Sequence, residues 1–228
     1  MNKILISIEG NIGVGKSTFI TLCKKYIDNI DIVYEPIDMW SSLKDENGNN
    51  ILQLFYNDKN KWSYIFQNTA LITRIIKIDE KITTSNKKIL FLDRSVETDI
   101  NIFEKMLYES KLITDFEHNV YKLYSNHYLK YINKNQTKIT VYLKCSSDIL
   151  IERIKKRDRT EEINIDIDYL NLLNKYHDDW LLNKNDENII VIDCNVDFEH
   201  DIEHQQNIFK NLIENINKLT NNEIEILK

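Results

Sequence analysis

Residues 10–17 read Gly10-Asn11-Ile12-Gly13-Val14-Gly15-Lys16-Ser17, a GxxxxGKS pattern. A short apolar run, residues 3–8, leads into it, and residues 16–28 leave it with apolar side chains at helical spacing. Strand, glycine-rich turn and helix are the context in which this pattern cradles phosphate. Glycine lets the backbone N–H groups turn inward around phosphate oxygens, and the helix N-terminus adds partial positive charge. Lys16 can reach a transferred phosphoryl group, and Ser17, with Thr18 behind it, can offer a hydroxyl to Mg²⁺. A chance match in a tight turn would lack this context on both sides. The expectation is a nucleoside triphosphate donor, ATP or another, bound with Mg²⁺ by Gly10, Asn11, Gly13, Gly15, Lys16, Ser17 and Thr18.

Further short apolar runs follow at residues 31–34, 89–92, 139–143 and 189–192. Between them lie longer segments of helical periodicity at 51–83, 97–132, 147–157 and 166–182, with a last helix at about 201–218. Strands alternating with helices mean right-handed crossovers and a parallel sheet covered on both faces. The expected class is therefore α/β, a P-loop NTPase fold with a five-stranded parallel sheet flanked by helices and a helical lid at about 153–162. No repeat and no Gly/Ser linker divides the chain, so its 228 residues read as a single domain. Ligands of such sheets lie beyond the carboxyl ends of the strands.

The composition narrows the partners. A formal net charge of −6 argues against a nucleic-acid backbone as the main partner. No apolar run is long enough to span a membrane, and the first one runs directly into the glycine loop, unlike a signal peptide. Cys23, Cys145 and Cys194 are odd in number and widely spaced, as expected of free thiols in a reducing, cytoplasmic setting, and read as small core residues. His200 and His204 have a zinc-compatible spacing but no evident third ligand, so a solvated helix face is the expectation.

Carboxylates stand at two further strand ends. Glu35-Pro36-Ile37-Asp38-Met39-Trp40 follows the second strand, and Asp93-Arg94-Ser95 the third. A carboxylate there can accept a hydroxyl proton or hold Mg²⁺, and Arg94 can hold acceptor or phosphoryl oxygens. A structural ion pair is the plainer reading of Asp-Arg. After the fourth strand comes Arg153-Ile154-Lys155-Lys156-Arg157-Asp158-Arg159. A solvated helix face is the plain reading of this cluster; a lid whose arginines close over a triphosphate and exclude water is the sharper one.

These residues together resemble the deoxynucleoside kinases of the deoxycytidine, deoxyguanosine and thymidine-2 type, over roughly residues 3–182. The resemblance is carried by Ile8-Glu9-Gly10-Asn11-Ile12-Gly13, Glu35-Pro36 with Trp40, and Trp62-Ser63 leading to Phe66-Gln67 and Arg74. It continues through Arg94-Ser95-Val96 with Asp99 and Phe103, Leu107-Tyr108-Glu109-Ser110, Glu161-Glu162, and Tyr169-Leu170 before Trp180-Leu181. It implies a small-molecule acceptor, a deoxynucleoside, and a homodimer joined through helices. It places Glu35 near the acceptor 5′ oxygen and the metal, Arg94 at the 5′ position, and Tyr56 with Glu162 on the 3′-hydroxyl. It also places Gln67 on the base edge, Arg74 with Asp99 on the far side of the base, and Arg153, Arg157 and Arg159 in the lid.

The chain departs from that family where it has Asp93 in place of Glu, the family's catalytic base, and Glu97 and Ile100 in place of Tyr and Arg. Thymidylate kinases carry Asp-Arg at this strand end and act on an acceptor that already bears a phosphate. Two acceptors thus stay open: a deoxynucleoside, giving the monophosphate, or a deoxynucleoside monophosphate, giving the diphosphate. A nucleotide-binding regulatory module is a remote third reading. In the family an acidic residue at the position of Asp99 goes with cytosine or purine acceptors, which points away from thymine.

Overall fold

The computed structural model describes residues 2–157, 165–183 and 186–220. They fall into two compact units. The first comprises Met1–Val33, Ser85–Arg94 and Asn135–Lys228, and the second Tyr34–Thr84 and Ser95–Lys134.

The first unit holds the sheet. Strands β1 (Ile4–Gly10), β2 (Ile30–Val33), β3 (Ile89–Asp93), β4 (Thr137–Lys144) and β5 (Ile189–Asp193) pair in the order β2-β3-β1-β4-β5. All four pairings are parallel, as the alternation of strands and helices led one to expect. All seven residues of β1 are buried, as befits a central strand covered on both faces. Helix α1 (Lys16–Tyr26) follows β1. The late elements of this unit are α8 (Ser147–Arg157), α9 (Ile167–Leu181) and α10 (Ile202–Thr220). Helix α10 closes over α1 through an aromatic column: Phe209 stacks on Phe19 at 5.0 Å and on Tyr26 at 4.8 Å. Cys23, Cys145 and Cys194 are free and buried, so they serve here as small core residues.

The second unit is helical. Its elements are α2 (Ile37–Ser42), α3 (Ile51–Asn57), α4 (Lys59–Thr84), α5 (Val96–Thr98), a π-helical turn (Asp99–Glu104), α6 (Lys105–Glu109) and α7 (Asp115–Ile132). The stretch 51–83, continuous by periodicity, is broken at Asp58, whose backbone leaves the helical region and whose carboxylate accepts from the Lys61 N–H at 3.2 Å. Asp58 thereby ends α3 and caps α4. Capping boxes start α3, where Asn50 pairs with Gln53, and α7, where Thr114 pairs with Glu117. The long segment 97–132 is likewise divided, by the π turn and by the Thr114 cap.

Candidate active site

The phosphate loop lies between β1 and α1. Gly13 and Gly15 have φ of +81° and +99°, which side-chain-bearing residues rarely adopt. A Cβ on Gly13 would stand 2.8 Å from Ile154 Cγ1 and 3.0 Å from the Leu150 carbonyl, so α8 packs on the loop too closely for any other residue. Lys16 opens α1 and folds back, its Nζ donating to the Gly10 carbonyl at 3.2 Å and the Asn11 carbonyl at 2.9 Å. Ser17 is exposed in the same first turn.

The side chains of two residues expected at the donor make contacts that brace the loop. The Asn11 side chain is turned into the interior, donating to the Leu170 carbonyl at 2.8 Å and to Asn174 Oδ1 at 2.7 Å. Arg153 donates to the carbonyls of Val14 at 3.3 Å and Cys194 at 3.0 Å, which ties α8 to the loop and to the end of β5. Arg157 is exposed at the end of α8, while Arg159 and Glu162 lie outside the described residues.

Asp93 is the last residue of β3, in register with Ile8 of β1, just before the phosphate loop. It is buried, and so is Arg94. Arg94 adopts φ of +68° while its N–H donates to the Ile8 carbonyl at 3.2 Å. A left-handed backbone on a residue with a Cβ is costly, and such strain collects at functional sites. It turns the chain sharply out of the sheet directly after the carboxylate.

His177 on α9 was not among the sequence candidates. It is fully buried, stacks parallel to Tyr142 at 5.8 Å, and donates from Nδ1 to the Leu173 carbonyl at 2.7 Å. Burial, with the charges of Arg94 and Lys16 adding to it, depresses its pKa to about 3. The folded ring is therefore neutral, whereas the unfolded one titrates near 6.5. Its contribution to stability is whole above pH 6.5 and shrinks as the pH falls toward 3, by roughly 1.4 kcal/mol per unit. Urea unfolding at pH 7.5 and 5.0 should show the parent losing about 2 kcal/mol more than His177→Gln on acidification; equal losses would mean that this ring is not held neutral.

In the second unit Arg74, at the middle of α4, is the hub. It is buried and donates from Nε to Asp99 at 2.7 Å and from Nη2 to Glu35 at 3.1 Å. Burial alone would lower its pKa, but the Asp99 and Glu35 carboxylates more than offset that and hold it above its ordinary value. Three expected acceptor residues are thus brought into one charged network. Asp99 opens the π turn, and such turns often mark functional positions. Gln67 is also buried on α4, and its Oε1 has no hydrogen-bond partner among the described residues. A buried acceptor left so costs about 1–3 kcal/mol, a penalty a ligand can relieve. Trp40 is anchored by its indole N–H to Thr73 Oγ1 at 2.9 Å and meets Phe66 edge-on at 5.6 Å. Tyr56 is partly exposed at the end of α3, its ring against Phe55 at 5.3 Å. Glu97 accepts from Asn133 Nδ2 at 3.2 Å, and Glu104 pairs with His118 at 2.8 Å.

Among the described residues no group of three or more His, Cys, Asp or Glu is arranged to hold a metal. The donor set offered by Ser17 and Asp93 is hydroxyl and carboxylate oxygen. That suits Mg²⁺, which takes one or two carboxylates plus phosphate oxygens and not an all-protein cage.

A phosphate loop on this sheet, with a carboxylate and an arginine at the end of β3, defines a P-loop kinase. The deoxynucleoside kinase family model matches residues 6–220. A probable deoxycytidine kinase of Fowlpox virus (strain NVSL) is 36% identical over 218 residues, covering 94% of this chain and 88% of that protein. Deoxycytidine kinase of Homo sapiens is 32% identical over 220 residues, 85% of each. Mitochondrial deoxyguanosine kinase of Xenopus laevis is 30% identical over 219 residues, covering 86% and 83%. The chain belongs to the deoxynucleoside kinase family, and its reaction is phosphorylation of a deoxynucleoside to the monophosphate. The relatives favour this over the monophosphate-kinase reading that Asp93 kept open.

Proposed function

We propose that the protein moves the γ-phosphoryl group of ATP, bound with Mg²⁺, to the 5′-hydroxyl of deoxycytidine in preference to thymidine. The observation that carries the choice of base is the Arg74–Asp99–Glu35 network, whose arginine lies on the same helix as Gln67. Gln67 offers a donor and an acceptor to a base edge, and its Oε1 has capacity to accept. A carboxylate at Asp99 suits an exocyclic amine, a donor, and disfavours the carbonyl that thymine carries in its place. The deoxycytidine kinases among the relatives support the same reading.

In this reading Gly10, Gly13, Gly15, Lys16 and Thr18 hold the donor phosphates, and Arg153 acts on them through the loop it anchors. Ser17, with Asp93 and Glu35, would hold Mg²⁺, which neutralises charge building on the phosphoryl oxygens. Asp93 takes the 5′-hydroxyl proton and Arg94 steadies that oxygen. Trp40 borders the acceptor, and Tyr56 with Glu162 binds the 3′-hydroxyl. Arg157 and Arg159 complete the lid. Product analysis with ATP and Mg²⁺ against the four deoxynucleosides and their four 5′-monophosphates tests it. Deoxycytidine should give the highest kcat/KM, with thymidine at least tenfold lower. Turnover of the monophosphates alone would overturn it.

The protein is further inferred to act as a homodimer. Within the second unit α4 and α7 lie against each other. Helix α4 exposes Ile65, Ile72 and Ile76, and α7 exposes Phe116 (78%), Leu123 (77%) and Tyr131. Side chains of this size exposed along two adjacent helices call for a covering surface, and two copies present the same stripe to each other across a two-fold axis. Each large side chain so covered contributes about 1.5–3 kcal/mol. Light scattering should give twice the chain mass for the parent and the chain mass for Leu123→Asp; a parent of single mass would refute the dimer. Among the described residues no helix is long and apolar enough to cross a membrane, and the three free thiols support a cytoplasmic setting.

A further inference from the structure

Residues 170, 174 and 178 of helix α9, spaced by four, share the edge that meets the phosphate loop and the carboxyl end of β4, Leu170 through its carbonyl and Asn174 and Asp178 through their side chains. Asn174 donates from Nδ2 to the Cys145 carbonyl at 3.0 Å and to Ser147 Oγ at 3.1 Å. Those two bonds orient its amide, so that Oδ1 faces Asn11 and accepts from Asn11 Nδ2 at 2.7 Å. The second Asn11 amide proton goes to the Leu170 carbonyl at 2.8 Å, and Asn11 Oδ1 accepts from the Ile12 N–H at 2.7 Å. Both Asn11 amide protons are thereby used and its oxygen accepts as well, which fixes the amide's orientation. One turn on, Asp178 accepts from Tyr142 Oη at 2.8 Å and Lys144 Nζ at 2.7 Å, which fixes the register of α9 against β4.

We propose that Asn174 is a positioning residue for the phosphoryl donor: it clamps Asn11 from α9 and so sets the first turn of the phosphate loop. The Asn11 carbonyl, on the residue so clamped, is one of the two that receive the Lys16 ammonium. The same carbonyl accepts from the Val14 N–H at 3.4 Å. Movement of residue 11 thus carries to the lysine and to the amides that face phosphate, and errors near 1 Å in such groups can cost about a hundredfold. Apolar packing alone would leave α9 free to shift slightly along the loop; these directional bonds do not.

The inference rests on the kinase reading for its kinetic arm only. Asn174→Ala should raise the KM for ATP about tenfold and weaken ADP binding, measured by titration calorimetry, by the same factor. The KM for the deoxynucleoside should stay within twofold. Asn174→Ser, too short to bridge Asn11 and the β4 end, should behave alike if the alanine variant folds poorly. Lys175→Ala, on an exposed position of the same helix, should match the parent. Asn11→Ala with Asn174→Ala should bind ADP no worse than Asn11→Ala alone, because the second change removes a partner already lost. Additive losses, equal rises in both KM values, or unchanged ADP affinity would each overturn the clamp. Weakened ADP binding by Asn174→Ala in a parent that phosphorylates no deoxynucleoside would sink the acceptor reading and leave the clamp standing.

Discussion

Lys16→Ala is expected to lower kcat/KM by on the order of a thousandfold while the protein stays folded. The ammonium folds over its own loop, 3.2 Å from the Gly10 carbonyl and 2.9 Å from that of Asn11, so it is already poised at the phosphate cradle. It is only half-buried, and its stem fills no core position. Removing it should therefore cost little stability, in contrast to a change at Gly13, where any side chain meets Ile154. In the proposed mechanism, what is lost is a cation at the place where negative charge is redistributed during transfer. Lys16→Arg separates charge from shape: the planar guanidinium keeps the charge but not the compact point of contact, and it should recover less than a tenth of parental activity. Steady-state kinetics with a melting curve for each variant decides the matter. Activity of Lys16→Ala within tenfold of the parent, at an unchanged melting temperature, would remove this lysine from the chemistry and the phosphate loop from the mechanism.

Much of the first unit could be read from local pattern. Each strand is built around a short, mostly apolar run, and the two-faced burial of β1 is what such a run requires. The glycine loop carries its own explanation, because positive φ at Gly13 and Gly15 is a backbone demand that residue type reveals. Other features have no such local sign. Asp58 breaks the 51–83 segment without disturbing its apolar period, since an aspartate can sit on the outer face of either a helix or a cap. The π turn at Asp99–Glu104 adds a residue per turn in a stretch whose composition is ordinary for an α-helix. Arg94 adopts left-handed backbone with a side chain that gives no hint of it. Among site residues, the family resemblance already paired Arg74 with Asp99. That Glu35 joins them in one charged network had no sign in the sequence, because it depends on a contact spanning 39 residues. Asn174 and His177 were missed for the same reason: nothing near residue 174 in the chain points to a partner 163 residues away.

Asp93→Asn should leave both substrates bound and stop most of the turnover. The side chain ends β3 beside Ile8 of β1, is buried, and is followed at once by the strained Arg94. Such a position tolerates an isosteric amide in shape. In the proposed role it does not tolerate the change in chemistry, since an amide neither accepts a hydroxyl proton nor offers a charged oxygen to Mg²⁺. General-base catalysis is worth roughly 10²–10⁴ in rate, so kcat is expected to fall by at least a hundredfold with both KM values within threefold. Aspartate is shorter than glutamate by one carbon–carbon bond, about 1.5 Å. Asp93→Glu therefore asks whether the acceptor site of this chain is built around the shorter side chain. If it is, the longer carboxylate crowds the acceptor and the KM for the deoxynucleoside rises while the KM for ATP does not. If Asp93→Asn instead keeps kcat within tenfold of the parent, the 5′-hydroxyl loses its proton without help from residue 93. Catalysis would then rest on the cations of the phosphate loop and Arg94, a distribution consistent with a transition state in which bond cleavage to the leaving group runs ahead of proton loss from the acceptor.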